Sequence, residues 1–328
     1  MVVSLAERFA EDCREVLAEL ALTRHRLVIA NLTVELALAE PLTAKLLPAL
    51  AHHASGGAQA DFTIFAWHGA QAPLPSPPWR PQSFGPRARI EDMSDARFLT
   101  VFEGEEQLLR MIDLETGHGF YWAPAAERLP YYELAAPFRV IFSRLLGSRS
   151  KCMLHAAAVG RAGVAVLLPG RGGSGKSNLA LASLEAGLEF VGEDYCLVDI
   201  EQLLVHGLYC SAKLHRHDLP HFPWFEPMNS DQEPKAVTFL ARSQGHRLAD
   251  GLGLRAIVMP QLGQKDVLTP VTPAQALLAL APSTVFQLPG DSQATFAALA
   301  RLSRRLPCYR LELATRAGGA EKLRELLE

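Results

Sequence analysis

The run "LLPGRGGSGKSN", Leu167 to Asn178, narrows what this chain can fold into more than any other stretch. A strand-forming segment, Val164–Pro169, stops at four closely spaced glycines, Gly170, Gly172, Gly173 and Gly175, and the helical run "KSNLALASLEA" begins at once. The spacing is a full match to GxxxxGK[ST], set between a strand and a helix as its mechanism requires. Glycines let a backbone wrap around phosphates with its N–H groups pointing inward, and the helix N-terminus adds roughly half a positive charge. Residues Gly170, Arg171, Gly172, Gly173, Ser174, Gly175, Lys176, Ser177 and Asn178 are therefore the expected nucleotide cradle. Lys176 is the mobile countercharge for the outer phosphates and the Ser177 hydroxyl a magnesium ligand, both expected to face solvent in the empty protein.

A phosphate loop of this kind belongs to an α/β fold, and the flanking sequence agrees. Met153–Val159 and Val164–Pro169 read as two strands joined at the turn "GRAG", and the helix over 175–186 meets Gly187 where a C-terminal cap belongs. The chain then re-enters the sheet as "LEFVGEDYCLVDI". A right-handed crossover would bring this strand up beside the loop, with Glu193 and Asp194 near the phosphates. Adjacent residues on a strand point to opposite faces, so a shared magnesium role does not follow automatically: one acid can approach the metal while its neighbour, or the same site through a bend, receives a proton, the alternative being a solvated acidic pair at a strand end.

Three further groups bear on the site. His155 is read as orienting Glu193 or touching the transferred phosphate, against a satisfied core histidine. Lys213, in "SAKL" with Ser211, is read as reaching the γ-phosphate, against an ordinary surface lysine. His215, His217 and His221 do not read as a metal site, because Pro220 breaks the element and no Cys or acid completes a tetrahedron.

The front half carries no catalytic motif. Ser4 to Leu20 has apolar residues at helical spacing with Ser4 and Glu7 as a capping box, "RLVIANLTVELAL" is strand-forming, "PLTAKLLPALAHH" looks helical despite Pro48, and "DFTIFAW" is a short strand. Residues 69–86 hold six prolines and read as an extended surface loop. "RFLTVFEGEEQLLRMIDLETGHGFYWA" reads as a small antiparallel unit, and "YYELAAPFRVIFSRLLG" as one helix leading to a boundary near Gly147. Two domains follow, 1–147 as a smaller α+β unit for substrate or partner binding and 148–328 as the phosphate-loop domain.

Composition narrows the partners. The chain has 328 residues, 49% of them hydrophobic, and a net charge of -3 with Lys and Arg scattered, so no basic face for duplex nucleic acid is expected. No run approaches the ~20 apolar residues of a membrane span, and "MVVSLAERFAEDCREV" has acids where a signal peptide needs a basic and then an apolar stretch. A cytoplasmic protein without a membrane partner is expected. The five cysteines are widely spaced and read as reduced thiols.

In spacing as well as identity these residues resemble the HPr kinase/phosphorylase family, whose phosphate loop is related to that of phosphoenolpyruvate carboxykinase. In that family a His-Gly or His-Ala pair precedes the loop by the interval from His155 to Gly170. A glycine ends the helix, as Gly187 does here, and an acidic pair, usually Asp-Asp, follows at the interval of Glu193-Asp194. The segments "HGLYCSAKL", "TPAQALLALAPSTVFQLPG" and "RLPCYRLEL" resemble the branch that includes lasso-peptide precursor kinases. The likeness covers roughly residues 131–328.

It implies a P-loop kinase domain of HPr kinase / phosphoenolpyruvate carboxykinase type behind a smaller N-terminal α+β domain. Lys176 and Ser177 would serve ATP and Mg2+, Asp194 would be the metal-side acid, and Glu193 would stand where the family has its general base, with His155 and Lys213 completing the catalytic set. Glu193 departs from the usual Asp by one methylene, moving the carboxylate by about a bond length, a scale at which rates respond. There is no counterpart of the "EIRG" signature of true HPr kinases, so reversal of the reaction and HPr itself are not expected.

The expected activity is transfer of the ATP γ-phosphate to a serine of a peptide or protein, with a ribosomal precursor peptide among the candidates. A small-molecule kinase, a carboxykinase-like transferase and a non-catalytic nucleotide sensor remain open. A homo-oligomer is compatible with the chain.

Overall fold

The computed structural model describes residues 3–57, 59–288 and 292–328, and the chain divides into two compact units, Met1–Leu145 and Leu146–Glu328. The division falls inside a helix that ends at Gly147, two residues from the boundary expected from the sequence. Both units mix helices with mixed sheets, an α/β architecture. Among the described residues no helix is long and apolar enough to cross a membrane.

The first unit begins with α1 (Leu5–Ala18), closed by the expected capping box, in which Ser4 Oγ accepts from the Glu7 amide and the Glu7 carboxylate accepts from the Ser4 amide. Its apolar face, Ala6, Phe9, Ala10, Cys13 and Leu17, is buried. The strand-forming run that follows is a hairpin, β1 (Thr23–Ile29) and β2 (Leu32–Leu38), turned by Ala30 and Asn31, which both have positive φ, at 47° and 69°. A two-residue turn with both centres left-handed matches the right-handed twist of the strands. After α2 (Glu40–Leu46) the expected longer helix gives way at Leu47-Pro48 to short 3-10 turns, since proline cannot continue the helical bonding.

The remaining strands, β3 (Phe62–His68), β4 (Phe98–Glu103), β5 (Leu108–Asp113) and β6 (His118–Ala123), complete a six-stranded sheet of order β1-β2-β3-β6-β5-β4. The expected antiparallel unit is present as β4–β5–β6, and β6 joins it to the rest through a parallel pairing with β3. The proline-rich loop differs from a plain surface segment. Its Trp79 ring lies 5.3 Å from Phe9, edge-on, and 5.1 Å from Phe102, so the loop covers the apolar core. The helix expected over 131–147 is two, α3 (Tyr131–Ala135) and α4 (Arg139–Gly147), broken where Phe138 after Pro137 takes φ 57°.

The second unit contains β7 (Lys151–Leu154), β8 (Ala156–Arg161), β9 (Val164–Pro169), α5 (Lys176–Glu185), β10 (Glu189–Gly192) and β11 (Cys196–Asp199), followed by β12 (Leu204–Gly207), β13 (Ser211–His215), β14 (Lys235–Phe239), β15 (Leu252–Leu262), β16 (Val267–Pro270), α6 (Pro273–Val285), α7 (Ser292–Arg305), β17 (Cys308–Leu313) and α8 (Arg316–Leu327). The main sheet runs β10-β8-β9-β15-β12-β11-β7, with β17 on β15 and β16 on β17. Its faces follow the two-residue period. Ala157, Val159, Val166 and Leu168 meet α5 and α8, while Ala156, Ala158, Ala165 and Leu167 meet α6 and α7. The small side chains of "HAAAVG" suit a strand covered by helices on both faces.

Two strands expected to be continuous are interrupted. The run Met153–Val159 breaks at His155 into β7, which pairs with β11, and β8, which pairs with β9 and β10. "LEFVGEDYCLVDI" breaks at Glu193–Tyr195 between β10 and β11. The breaks face each other, because Gly192 pairs with Ala158 before them and Cys196 with Leu154 after them, leaving three residues on each side. The single residue His155 joins β7 to β8, so the sheet curls back on itself, and the Cys196 thiol reaches the Ala156 carbonyl at 3.3 Å. After the crossover β10 runs parallel to β9 with β8 between them.

Cys13, Cys196, Cys210 and Cys308 are buried and Cys152 partly so, all as free thiols. Burial pushes the Cys152 and Cys196 thiols up to about 12 and Cys210 to about 11.

Candidate active site

The loop after β9 has the open backbone its glycines predict. Gly173 and Gly175 have φ +80° and +89°, a region L side chains rarely adopt, and around Gly172 and Gly173 a Cβ would meet nothing within 4 Å. Gly175 is the N-cap of α5, and no side chain caps that helix, so its first N–H groups face the loop without a protein acceptor from the cap. Arg171, Gly172 and Gly173 are exposed. Ser174 Oγ and Asn178 Oδ1 are buried without a hydrogen-bond partner. A buried polar atom left unpaired is costly, and here two stand beside an uncapped helix start.

Lys176 does not face solvent as expected. It is only 7% exposed, its Nζ donates to the Glu193 carbonyl at 3.1 Å, and it lies 3.8 Å from Asp194 Oδ1. Ser177, partly exposed, donates through its hydroxyl to Glu193 Oε1. Glu193 Oε2 accepts from the Lys213 amide at 3.2 Å. The buried Lys213 ammonium is 2.6 Å from Asp194 Oδ2, and Asp194 Oδ1 accepts from His155 Nε2 at 3.0 Å.

Glu193 and Asp194 thus both turn toward the phosphate loop rather than to opposite faces of a sheet. They can because they stand in the break between β10 and β11, where the alternation of a regular strand no longer applies. His155 contacts Asp194, not Glu193 as expected, and its own strand break places it opposite the acids. The structure therefore gathers Lys176, Ser177, Glu193, Asp194, His155 and Lys213 from the loop, two strand breaks and β13, with Ser211 buried two residues before Lys213.

The electrostatics follow from burial and pairing. Burial alone would raise the Asp194 carboxyl, but Lys213, the His155 hydrogen bond and Lys176 outweigh it and hold the group well below the usual carboxylate range. Burial likewise opposes the Lys213 charge, yet Asp194 and Glu193 reverse the balance and hold its ammonium above the usual lysine value. Burial and Lys176 lower His155 against the pull of Asp194, so the imidazole is neutral near pH 7. Its Nε2 carries the proton toward Asp194, and Nδ1 is buried without a partner.

Three residues absent from the sequence reading brace this arrangement. Thr284, near the end of α6, accepts at 3.2 Å from the His155 amide. Tyr195 packs edge-to-face on the His155 ring with centroids 5.4 Å apart, and its hydroxyl donates to Gln287 Oε1 at 3.2 Å. Tyr195 adjoins the acids in sequence and could have been singled out. Thr284 lies 129 residues from its partner, and no local signal marks it. Pro289 and Gly290, which close the quoted segment around α6, lie outside the described residues.

His215 and His217 stack with ring centroids 5.3 Å apart. Among the described residues no group of three His, Cys, Asp or Glu side chains is arranged to hold a metal. No protein-family model matches the chain, and no curated protein matches it significantly.

Proposed function

We propose that the chain is an ATP- and Mg2+-dependent kinase of the HPr kinase / phosphoenolpyruvate carboxykinase type that phosphorylates a serine hydroxyl of a peptide or protein. The observation that carries the reading is the convergence of Lys176 and Ser177, from a full GxxxxGKS loop, with Glu193, Asp194 and Lys213. Phosphoryl transfer asks a protein chiefly for alignment and charge neutralisation in a dry site, and buried lysines beside carboxylates are suited to both.

The residues present fit a magnesium nucleotide. Ser174 Oγ and Asn178 Oδ1 are buried without partners beside the glycine cradle, and Ser177 with Glu193 offers the hard oxygen donors magnesium prefers. Ser177 and Glu193 would hold the metal, whose chemistry when bound is to neutralise charge on the phosphate oxygens. This revises the roles implied by the resemblance, in which Asp194 was the metal-side acid and Glu193 the base. The Ser177 hydroxyl is bonded to Glu193, whereas Asp194 is grouped with His155 and Lys213.

In this reading the serine oxygen forms the new bond to the γ-phosphorus, the bond to the β,γ-bridging oxygen breaks, and ADP leaves. The serine proton passes to Asp194. That carboxylate is a weak base while both lysines face it, and it becomes a better one as the ammonium groups turn to the phosphates. His155 keeps it oriented through Nε2, and Thr284 fixes the backbone of His155. Mass spectrometry of serine peptides incubated with Mg-ATP tests the reading directly. Labelled serine supports it, whereas phosphorylation of a free metabolite with no labelled peptide moves the activity to a small-molecule kinase.

A further inference from the structure

The short ribbon β13–β14 has two different faces. Ala212 and Leu214, with Ala236, pack against Leu181 and Leu184 of α5 and against Phe222 and Phe225. The opposite face carries Ser211, Lys213 and His215 on β13, and their cross-strand partners Phe239, Val237 and Lys235 on β14. Lys213 reaches Asp194 from this face. Two residues further along the same strand, His215 is exposed and stands opposite the half-buried Lys235.

These groups are basic and are not neutralised locally. Among the described residues no carboxylate forms an ion pair with His215 or Lys235, and the nearby Asp218 lies 3.6 Å from His217. His217 is exposed and stacks on His215 at an interplanar angle of 14°. Arg216 donates to the carbonyls of Ser230 and Glu233 and so holds the loop that leads to β14. A face that begins at the proposed transfer site continues into basic side chains that, among the described residues, form no ion pair with an acid.

We propose that the acceptor peptide is read through a carboxylate about two residues from the phosphorylated serine, held by His215 and Lys235 on the strand face that carries Lys213. The inference rests on the kinase reading for the place of the accepting serine. Residues two apart on a strand are separated by about 6.7 Å, the span an extended peptide also covers in two residues, so a serine at Asp194 and a carboxylate at His215 are in register. The carboxylate belongs either to an acidic side chain or to the end of the peptide.

The charge on His215 makes the recognition pH-dependent. Burial, then Lys235 from β14 and His217 from the following turn, lower its ionisation, with Asp218 opposing and Lys213 on its own strand face. The loop held by Arg216 adds the acids Asp231 and Glu233 to the surroundings. Protonation strengthens the hold on a carboxylate, so affinity rises as pH falls below about 6.5, the ordinary imidazole value.

The test uses the full chain and three fluorescent serine peptides followed by anisotropy. One has Asp two residues after the serine and an amidated end, one has Asn there and an amidated end, and one has Asn there as its final residue with a free carboxylate. At pH 5.5 one or both carboxylate peptides should bind about three- to tenfold tighter than the neutral one, the scale of one or two exposed ion pairs. Which of them does so identifies the source of the carboxylate. The gap should narrow in His215→Ala and Lys235→Ala and close in the double variant. Equal affinity for all three peptides in the unmodified protein, or a preference unchanged in the double variant, overturns the proposal. Mg-ATP turnover is measured separately: selective carboxylate binding without turnover would defeat the kinase reading and leave the recognition standing.

Discussion

Lys213 and Asp194 close a 2.6 Å ion pair between β13 and the break after β10, with the lysine buried and the aspartate partly so. Its partners extend it: His155 holds the other Asp194 oxygen, and Lys176 stands 3.8 Å from the same atom. The site's cations therefore rest on its own carboxylates and carbonyl, the groups they would exchange for phosphates in the proposed reaction.

Removing one partner of that pair takes from the other its nearest counter-charge. Asp194→Asn should destabilise the fold by about 3 kcal/mol, since an uncompensated buried charge is costly. Lys213→Met should lose less than Asp194→Asn, because a buried carboxylate still has His155 and Lys176. The double variant should recover part of the loss. Denaturant unfolding of the four proteins checks this, and additive losses would mean the pair is not coupled.

Lys176→Ala should reduce turnover at least a hundredfold, the scale of a lost transition-state electrostatic contact. It also strips the Glu193 carbonyl of its donor, so a stability loss of about 1 kcal/mol should accompany it. Turnover assays with unfolding controls separate the two effects.

Glu193 and Asp194 should respond differently to substitution. With Glu193 beside Ser177, Glu193→Gln should raise the magnesium concentration needed for half-maximal turnover. Asp194→Asn should lower the maximal rate with little change in that requirement. Magnesium titrations of both variants check the assignment, and the reverse pattern would restore Asp194 to the metal side.

Acid should weaken the fold in two steps. His155 ionises below its ordinary value, so the folded state binds fewer protons, and its contribution is present above about pH 6.5 and falls as pH drops below it. Asp194 is also depressed, so its contribution is present above about pH 4 and is lost as pH falls through its lower folded value. Unfolding midpoints from pH 8 to 2 should decline in both windows, and His155→Asn should flatten the portion between pH 6.5 and 5.

Much of this site could be read from residue order, and the part that could not has a physical cause. The phosphate loop announces itself because glycine spacing, lysine and serine are all local. The strand breaks are hidden because strand-forming apolar residues flank both of them, in "KCMLHAAAV" and "LEFVGEDYCLV", and no proline stands at either break. Only the pairing of β7 with β11 and of β8 with β10 shows that His155 and Glu193–Tyr195 lie opposite one another. Continuous strands also led to the expectation that the two acids point apart. Lys176 looked solvent-facing because its acceptor, the Glu193 carbonyl, is a backbone atom that composition cannot reveal. In the front unit, the hairpin at Ala30-Asn31 lacked the glycine that usually marks such a turn.

The central claim is that this loop and its two acids move a phosphoryl group to serine. The direct measurement follows label from γ-phosphate-labelled Mg-ATP into a serine peptide, with the serine-to-alanine peptide and Lys176→Ala protein as controls. The account predicts label on the serine peptide with unmodified protein and none in either control. Nucleotide binding without transfer to any acceptor, or label unchanged by Lys176→Ala, would contradict it.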